Sequence, residues 1–469
     1  MQEALRAIVG ADYVLTGDDM SKWQSDWMGM YAAHPVAVVR PATTKQVAAL
    51  VKLANDTKTP IVPVSGNTGL AGGVSGTGQI MVSMDRMNKV IDIRRDARIA
   101  IVEAGAILSD IHAAADANDL VFPLTFGARG SCMIGGNLGT NAGGSNVVRY
   151  GNTRDLCLGL EVVLPNGEIA DLMTELHKDN SGYNLKHLMI GAEGTLGIIT
   201  KAVLKLHPKP LCYATAMVAA PSVAASLTLL NRLQDATGGA VEAFEYMPRA
   251  YVQRHLDITP SAREPFDAPY DVNIMVEIAT TVEQKARPGA DGSVPLTQDF
   301  EALLAELFEN GDVLDAVVAK TEGQRRAMWE RREAAAEVVL THQPLINTDI
   351  AVPIDKVATF LDNMGARLPR IDPDAIAMVV SHLGDGNVHY SVWGKSQDPD
   401  VHDQITEAVE DETLKLGGSF SAEHGIGVSK LNSMRRRKNP AALGAMHAIK
   451  QALDPNGIMN PGKVLPPQD

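Results

Sequence analysis

Cysteine is scarce: the chain of 469 residues has only Cys132, Cys157 and Cys212, and no two of them stand in CxxC spacing. That excludes a disulfide framework, a zinc knuckle and a haem-attachment site as organising features. No segment approaches the roughly 20 consecutive apolar residues that a membrane-spanning helix needs. The opening M-Q-E-A-L-R carries an early acid, with no long apolar run and no twin arginine. No secretory signal is visible, so a cytoplasmic, reducing setting is the expectation. Positive charge is in deficit, with 42 Lys and Arg against 56 Asp and Glu and a net charge of −14. That balance argues against nucleic acid or an anionic membrane as the main partner. The one dense basic run, Arg435–Lys438, reads as a solvated helix face, or else as a dock for an acidic protein.

Several common signatures are missing too. No G-x-G-x-x-G follows a strand, which removes the Rossmann fingerprint. Gly457–Lys463, G-I-M-N-P-G-K, imitates a phosphate loop, but Val464 follows where Ser or Thr is required and Pro461 interrupts it. G-x-S-x-G and H-E-x-x-H do not occur, so the usual serine-hydrolase and metalloprotease signatures are absent.

What is present suggests two or three domains, because the chain is too long for one core and 45% of it is apolar. Val36–Arg40 reads as a strand, a helix capped by Thr43 follows, and Ile61–Val64 reads as the next strand. Directly after comes S-G-N-T-G-L-A-G-G-V-S-G-T-G, Ser65 to Gly78, in which six of fourteen residues are glycine. Glycine lets successive backbone amides turn toward an anion with no Cβ in the way. Two further glycine-dense stretches cover Gly130–Asn146 and Ile190–Thr200. Each alone is ordinary loop punctuation; together they suggest loops converging on one large polar ligand, such as a dinucleotide.

The stretch S-H-L-G-D-G-N-V-H, Ser381 to His389, reads as a hairpin with a short turn. Its geometry is expected to set His382 and His389 opposite each other on one face, with Cβ atoms roughly 5 Å apart. Glu423, in S-A-E-H-G-I-G, would complete a His/His/Glu set with a fourth position open, as in a catalytic zinc-type site. His424 is left over as a proton acceptor. The plainer reading of the two histidines is that they are partly buried polar residues.

P-V-S-G-N-T-G-L-A-G-G, I-G-G-N-L-G-T-N-A-G-G, G-A-E-G-T-L-G-I-I-T, H-L-G-D-G-N-V-H and E-H-G-I-G occur in that order between about Pro35 and Pro466. Together they resemble the FAD-dependent D-2-hydroxy-acid dehydrogenases of the vanillyl-alcohol-oxidase flavoprotein group. Those include D-lactate dehydrogenases, the glycolate oxidase FAD subunit and D-2-hydroxyglutarate dehydrogenase. The resemblance implies an α+β fold with a two-subdomain FAD-binding domain over 1–210 and a cap domain of antiparallel sheet and helices over 211–430. A segment over 431–469 would return to the FAD domain.

It implies that Pro63, Ser65, Gly66, Asn67, Thr68, Gly69 and Leu70 hold the FAD pyrophosphate. Ser131, Ile134, Gly135, Gly136, Asn137, Thr140, Asn141, Gly143 and Gly144 would share that task. Glu193, Gly194, Gly197, Ile198 and Ile199 would lie toward the adenosine and ribose, and Asn460 would line the site. Some relatives attach FAD through a histidine in the first loop; here Asn67 stands in that loop with no histidine near, so the FAD is expected to be non-covalent. Cys132 reads as a small buried residue, a covalent flavin link being the alternative.

In M-W-E-R-R-E, Arg332 matches the family position that binds the substrate carboxylate, although from the residues alone these arginines read as a solvated helix face. The 2-hydroxyglutarate enzymes resembled carry Thr and Lys where this chain has Ala336 and Asn347. That leaves D-lactate or another small 2-hydroxy acid in play.

The implied chemistry passes a hydride from C2 to the flavin. A divalent metal, of the zinc type, on His382, His389 and Glu423 polarises the hydroxyl, and His424 takes its proton. Asn387 would orient a metal ligand or the substrate. With no iron–sulfur cysteine cluster, the electron acceptor is expected to be external: an electron-transfer flavoprotein, a quinone or a cytochrome. A homodimer is the base expectation. Two other classes stay open, a His/His/Glu hydrolase and a flavin-binding protein without turnover.

Overall fold

The computed structural model describes residues 1–468. Near the amino terminus a strand Ala37–Val39, a helix Thr44–Thr57 and a strand Ile61–Val64 follow in the order read from the sequence. Thr43 starts the helix by accepting the Gln46 N–H at 3.2 Å. Val47, Leu50, Val51 and Ala54 recur at helical spacing and are fully buried. The two strands lie parallel on either side of Ile80–Ser83, with Val14–Leu15 antiparallel at the edge. A second sheet is wholly antiparallel, in the order Ile169–Leu172, Cys157–Val163, Ile198–Lys205, Ile99–Glu103, Val90–Arg94.

One apolar core joins both sheets, and it includes Ile458 and Met459 from the far end of the chain. Ile61 donates its N–H to the Ile458 carbonyl at 2.8 Å, and Asn460 donates to Ile61 at 2.9 Å. The tail is thereby tied to the first parallel sheet.

The intervening region is built on a seven-stranded antiparallel sheet. Its order is Asp315–Val318, Cys212–Ala219, Val272–Thr280, Val241–Pro248, Ile376–His382, Asn387–Trp393, Leu345–Ala351. Alternation along each strand divides its residues between two layers. Val272, Ile274, Val276 and Ile278 join one apolar cluster, whereas Met275 joins another on the opposite face. The same alternation puts Glu245, His382, His389, Ser391, Asn347 and Asp349 on one face.

One expectation changes here. The basic run does not simply face water: Arg436 pairs with Asp403 and Glu407, and Arg437 with Glu410 and Asp411, all on the helix Pro399–Lys415. Its acidic partner is within the chain. Among the described residues no helix is long and apolar enough to cross a membrane.

Candidate functional site

The hairpin forms from Ile376–His382 and Asn387–Trp393. Gly386 closes its turn at φ 84, and a Cβ there would strike the Val352 carbonyl. The register differs from the expectation. His382 pairs with Asn387, and His389 pairs with Val380. A four-residue turn fixes this, so the two histidines are diagonal rather than opposite neighbours. Two-residue periodicity still puts them on one face, with ring centroids 5.3 Å apart.

Each imidazole is held from behind by a buried carboxylate. His382 Nδ1 is 2.9 Å from Glu245 Oε1, and His389 Nδ1 is 3.4 Å from Asp349 Oδ1. Their Nε2 atoms turn to one shared oxygen: Glu423 Oε2 is 3.7 Å from His382 Nε2 and 3.6 Å from His389 Nε2. Carboxylates behind metal-binding histidines fix the tautomer and the ring orientation in this way. Asp349, His389, Glu423 and His424 also offer ligand atoms within 4.8 Å of one another. Asp349, however, is committed elsewhere, so the Nε2 side is the better cation position.

That commitment is to the backbone. Asp349 Oδ2 accepts the N–H groups of Glu423 and His424, both at 2.8 Å, and Asn387 Nδ2 donates to Oδ1 at 2.9 Å. Glu193 accepts the N–H groups of Ile426 and Gly427 at 2.7 and 2.8 Å. Two carboxylates, Glu193 from the loop before the strand Ile198–Lys205 and Asp349 from the seven-stranded sheet, thus clamp the segment that carries Glu423 and His424. Glu423 Oε1 in turn accepts the Gly144 N–H. Gly143 permits that approach, because a Cβ on it would collide with the Glu423 carboxylate. His424 stacks on His389 at 5.4 Å and 17°. Its Nδ1 is 3.8 Å from Asp349 Oδ2, which leaves Nε2 free.

Charge is distributed unevenly across the cluster. Burial opposes a proton on His382, yet Glu245 outweighs it and raises the imidazole to about 9. His389 is pushed well below its ordinary value by burial and by the neighbouring His382 and His424, against the pull of Asp349. Burial works against ionised Asp349 as well, but His424, Lys430 and His389 hold it far below the usual carboxylate range.

Arg332 is buried at 7% exposure, so the solvated-face reading does not apply to it. Its Nε donates to Glu245 Oε2 at 2.6 Å, and its Nη2 lies 3.4 Å from both ring nitrogens of His382. Arg331 is buried too, and Arg325 pairs with Glu277; of the four arginines on this helix only Arg326 is exposed.

The cluster opens onto a cavity of about 730 Å³ that reaches back between the glycine loops, within the roughly 300–1,000 Å³ of ligand pockets. Its walls include Pro63, Ser65 to Leu70, Ser131, Gly135, Gly136, Asn137, Thr140, Gly143, Gly144, Glu193, Gly194, Gly197 to Ile199 and Asn460. Three expected residues are not in the wall. Ile134 is fully buried in the core. Asn141 caps a helix and accepts the Arg154 N–H. Asn387 bonds Asp349 and the Ile350 carbonyl, so it positions a carboxylate instead of touching substrate.

The cavity's chemistry fits a dinucleotide. The buried oxygens Asn137 Oδ1 and Asn460 Oδ1 have no hydrogen-bond partner among the described residues. Asn67, Glu193 and Asn460 hold left-handed φ values of 53, 51 and 39, strain that loops tolerate where a ligand repays it. Burial pushes the Cys132 thiol up to about 11, which suits a packing residue and not a nucleophile.

Glu245, Asp349 and Lys430 escape a reading of the sequence. For the two acids the available signal is a carboxylate inside an otherwise apolar strand, V-E-A-F-E-Y-M and L-I-N-T-D-I-A, since a buried charge requires a partner.

The sequence pattern of the FAD linked oxidases, C-terminal domain, matches residues 210–464, and that of the FAD binding domain matches residues 35–173. A D-2-hydroxyglutarate dehydrogenase of Stutzerimonas stutzeri is 33% identical over 98% of this chain and 98% of its own length. The mitochondrial D-2-hydroxyglutarate dehydrogenase of Arabidopsis thaliana is 33% identical over 94% of this chain and 77% of its own. In fold, p-cresol methylhydroxylase superposes with a TM-score of 0.74 at 20% identity, over 98% of this chain and 95% of that one. The 4-ethylphenol oxidase of Gulosibacter chungangensis gives 0.73 at 17%, over 99% and 97%. With both domains matched and full-length relatives at this identity, the chain belongs to the FAD-linked oxidase family.

Proposed function

We propose that this protein oxidises a D-2-hydroxy acid to the 2-oxo acid with non-covalently bound FAD. The observation that carries the reading is one cavity holding both the glycine loops and the His382, His389, Glu423 and Arg332 cluster. The names of the relatives support the same reaction class. When bound, FAD supplies the hydride acceptor, and a divalent cation of the zinc type on His382, His389 and Glu423 supplies Lewis acidity at the hydroxyl oxygen.

The chain's own residues do the rest. The outer edge of the Arg332 guanidinium grips the substrate carboxylate while Glu245 fixes its inner edge. His424 takes the hydroxyl proton at Nε2, steadied by Asp349 behind it and His389 beside it. The clamp of Glu193 and Asp349 keeps that base in register with the cavity. The three cysteines are free and scattered, so electrons leave to an external acceptor.

The test is anaerobic bleaching of the yellow protein by D-2-hydroxy acids. Bleaching by D but not L enantiomers, lost on chelation and restored by zinc, is expected. A colourless protein after reconstitution with FAD, or a flavin inert to every D-2-hydroxy acid, refutes the reading.

A further inference from the structure

Cross-strand pairing on the site face of the cap sheet sorts the cavity into successive rows. The first is Glu245, His382 and Asn387, and the second is Val380, His389 and Asp349. The third is Met378, Ser391 and Asn347. A substrate with its carboxylate at Arg332 and its hydroxyl between His382 and His389 has the first two rows occupied. Its side chain is left with the third row and the adjoining wall.

That wall has no charge to offer a second carboxylate. Asn347 Oδ1 accepts the Ser391 hydroxyl at 2.9 Å, which leaves the row only the uncharged Asn347 amide as a donor. Ala336, Val339, Leu340 and Leu345 complete the lining there. Arg332 is the only Lys or Arg among the described residues lining the cavity. The nearby acids make matters worse for an anion. Glu333 is paired with Arg129 at 2.6 Å, while Glu337 forms no ion pair among the described residues. A second carboxylate would gain no cationic partner there.

We infer that the substrate is a D-2-hydroxy monocarboxylate with an uncharged, apolar side chain. This rests on the reaction proposed above. It separates this chain from what the names of its relatives say of them.

The experiment uses the FAD-loaded, zinc-loaded enzyme and follows anaerobic flavin reduction by D-2-hydroxy-4-methylpentanoate, D-lactate and D-2-hydroxyglutarate. The branched monocarboxylate should exceed the dicarboxylate in kcat/KM by about tenfold or more, as expected when a site leaves a polar group unpaired. Titration with 2-oxo-4-methylpentanoate and 2-oxoglutarate, read by perturbation of the flavin spectrum, should give the same order in Kd. Asn347→Lys should raise kcat/KM for D-2-hydroxyglutarate by about tenfold, mainly through KM. A parent enzyme that prefers D-2-hydroxyglutarate overturns the inference alone and leaves the reaction standing. No gain in Asn347→Lys overturns the placement of the side chain at the third row. Bleaching by none of the three overturns both the reaction and the inference.

Discussion

Asp349→Asn isolates the role of the carboxylate at the back of the cluster. The side chain is fully buried, and the substitution preserves its volume, so no cavity arises. Charge and hydrogen-bond polarity are what change. Oδ2 receives two main-chain N–H groups at 2.8 Å and Oδ1 receives Asn387 Nδ2 at 2.9 Å. An amide offers one acceptor and one donor in place of two acceptors, so a donor must face a donor on one side.

A hydrogen bond to a charged group contributes about 1.5–3 kcal/mol, and unpairing a buried donor costs about 1–3 kcal/mol. Because these terms overlap, a net loss of about 3–5 kcal/mol is expected, as for breaking one side of a buried ion pair. Local disorder of residues 423–424 then loosens Glu423 as a ligand and His424 as a base. Zinc affinity should fall about 10- to 100-fold, the usual effect of removing a partner behind a ligand. FAD content should largely survive, because the Glu423–Gly144 hydrogen bond is the one glycine-loop contact that loosens.

The assays are metal content after dialysis against graded zinc, flavin absorbance and anaerobic reduction rate. Asp349→Glu serves as a charge-preserving control that should recover part of the affinity. A folded, yellow Asp349→Asn protein with zinc affinity and reduction rate within about twofold of the parent would refute the reasoning, since that lies below the coupling expected.

Two further outcomes follow from the geometry. Arg332→Lys keeps a charge but loses the planar fork shared with Glu245, so KM for the hydroxy acid should rise by about tenfold or more while FAD stays bound; initial-rate kinetics decide it. Burial raises the pKa of Glu161, but hydrogen bonds from Thr44, Thr200 and Lys201 outweigh it and leave the group below its ordinary value. A carboxylate depressed on folding stabilises the protein above its unfolded pKa and loses that contribution as pH falls through its folded one. Melting temperature should therefore decline between pH 5 and the depressed value, and Glu161→Gln should flatten that decline; an unchanged slope would rule out the attribution.

Much of the fold is legible because its signals are local. Thr43 announces its helix with a cap, and period-two alternation in Ile376–Trp393 is enough to put His382 and His389 on one face. Their register is not legible to the same degree, because turn length shifts a pairing by whole residues. By residue type and spacing alone Arg332 cannot be told from Arg326: both lie on one charged helix, and only packing against Glu245 buries the first.

The linear chain by itself determined the elements, the glycine loops, the charge balance and the roster of titratable side chains, all of which depend on neighbours a few residues apart. Only tertiary structure decided that Glu245 and Asp349 stand behind the two imidazoles that Glu423 meets, and that Glu193 holds the backbone just after His424. Pairing of buried charge is a condition on space. A strand acid reads the same whether its partner is water or a histidine brought in by another strand.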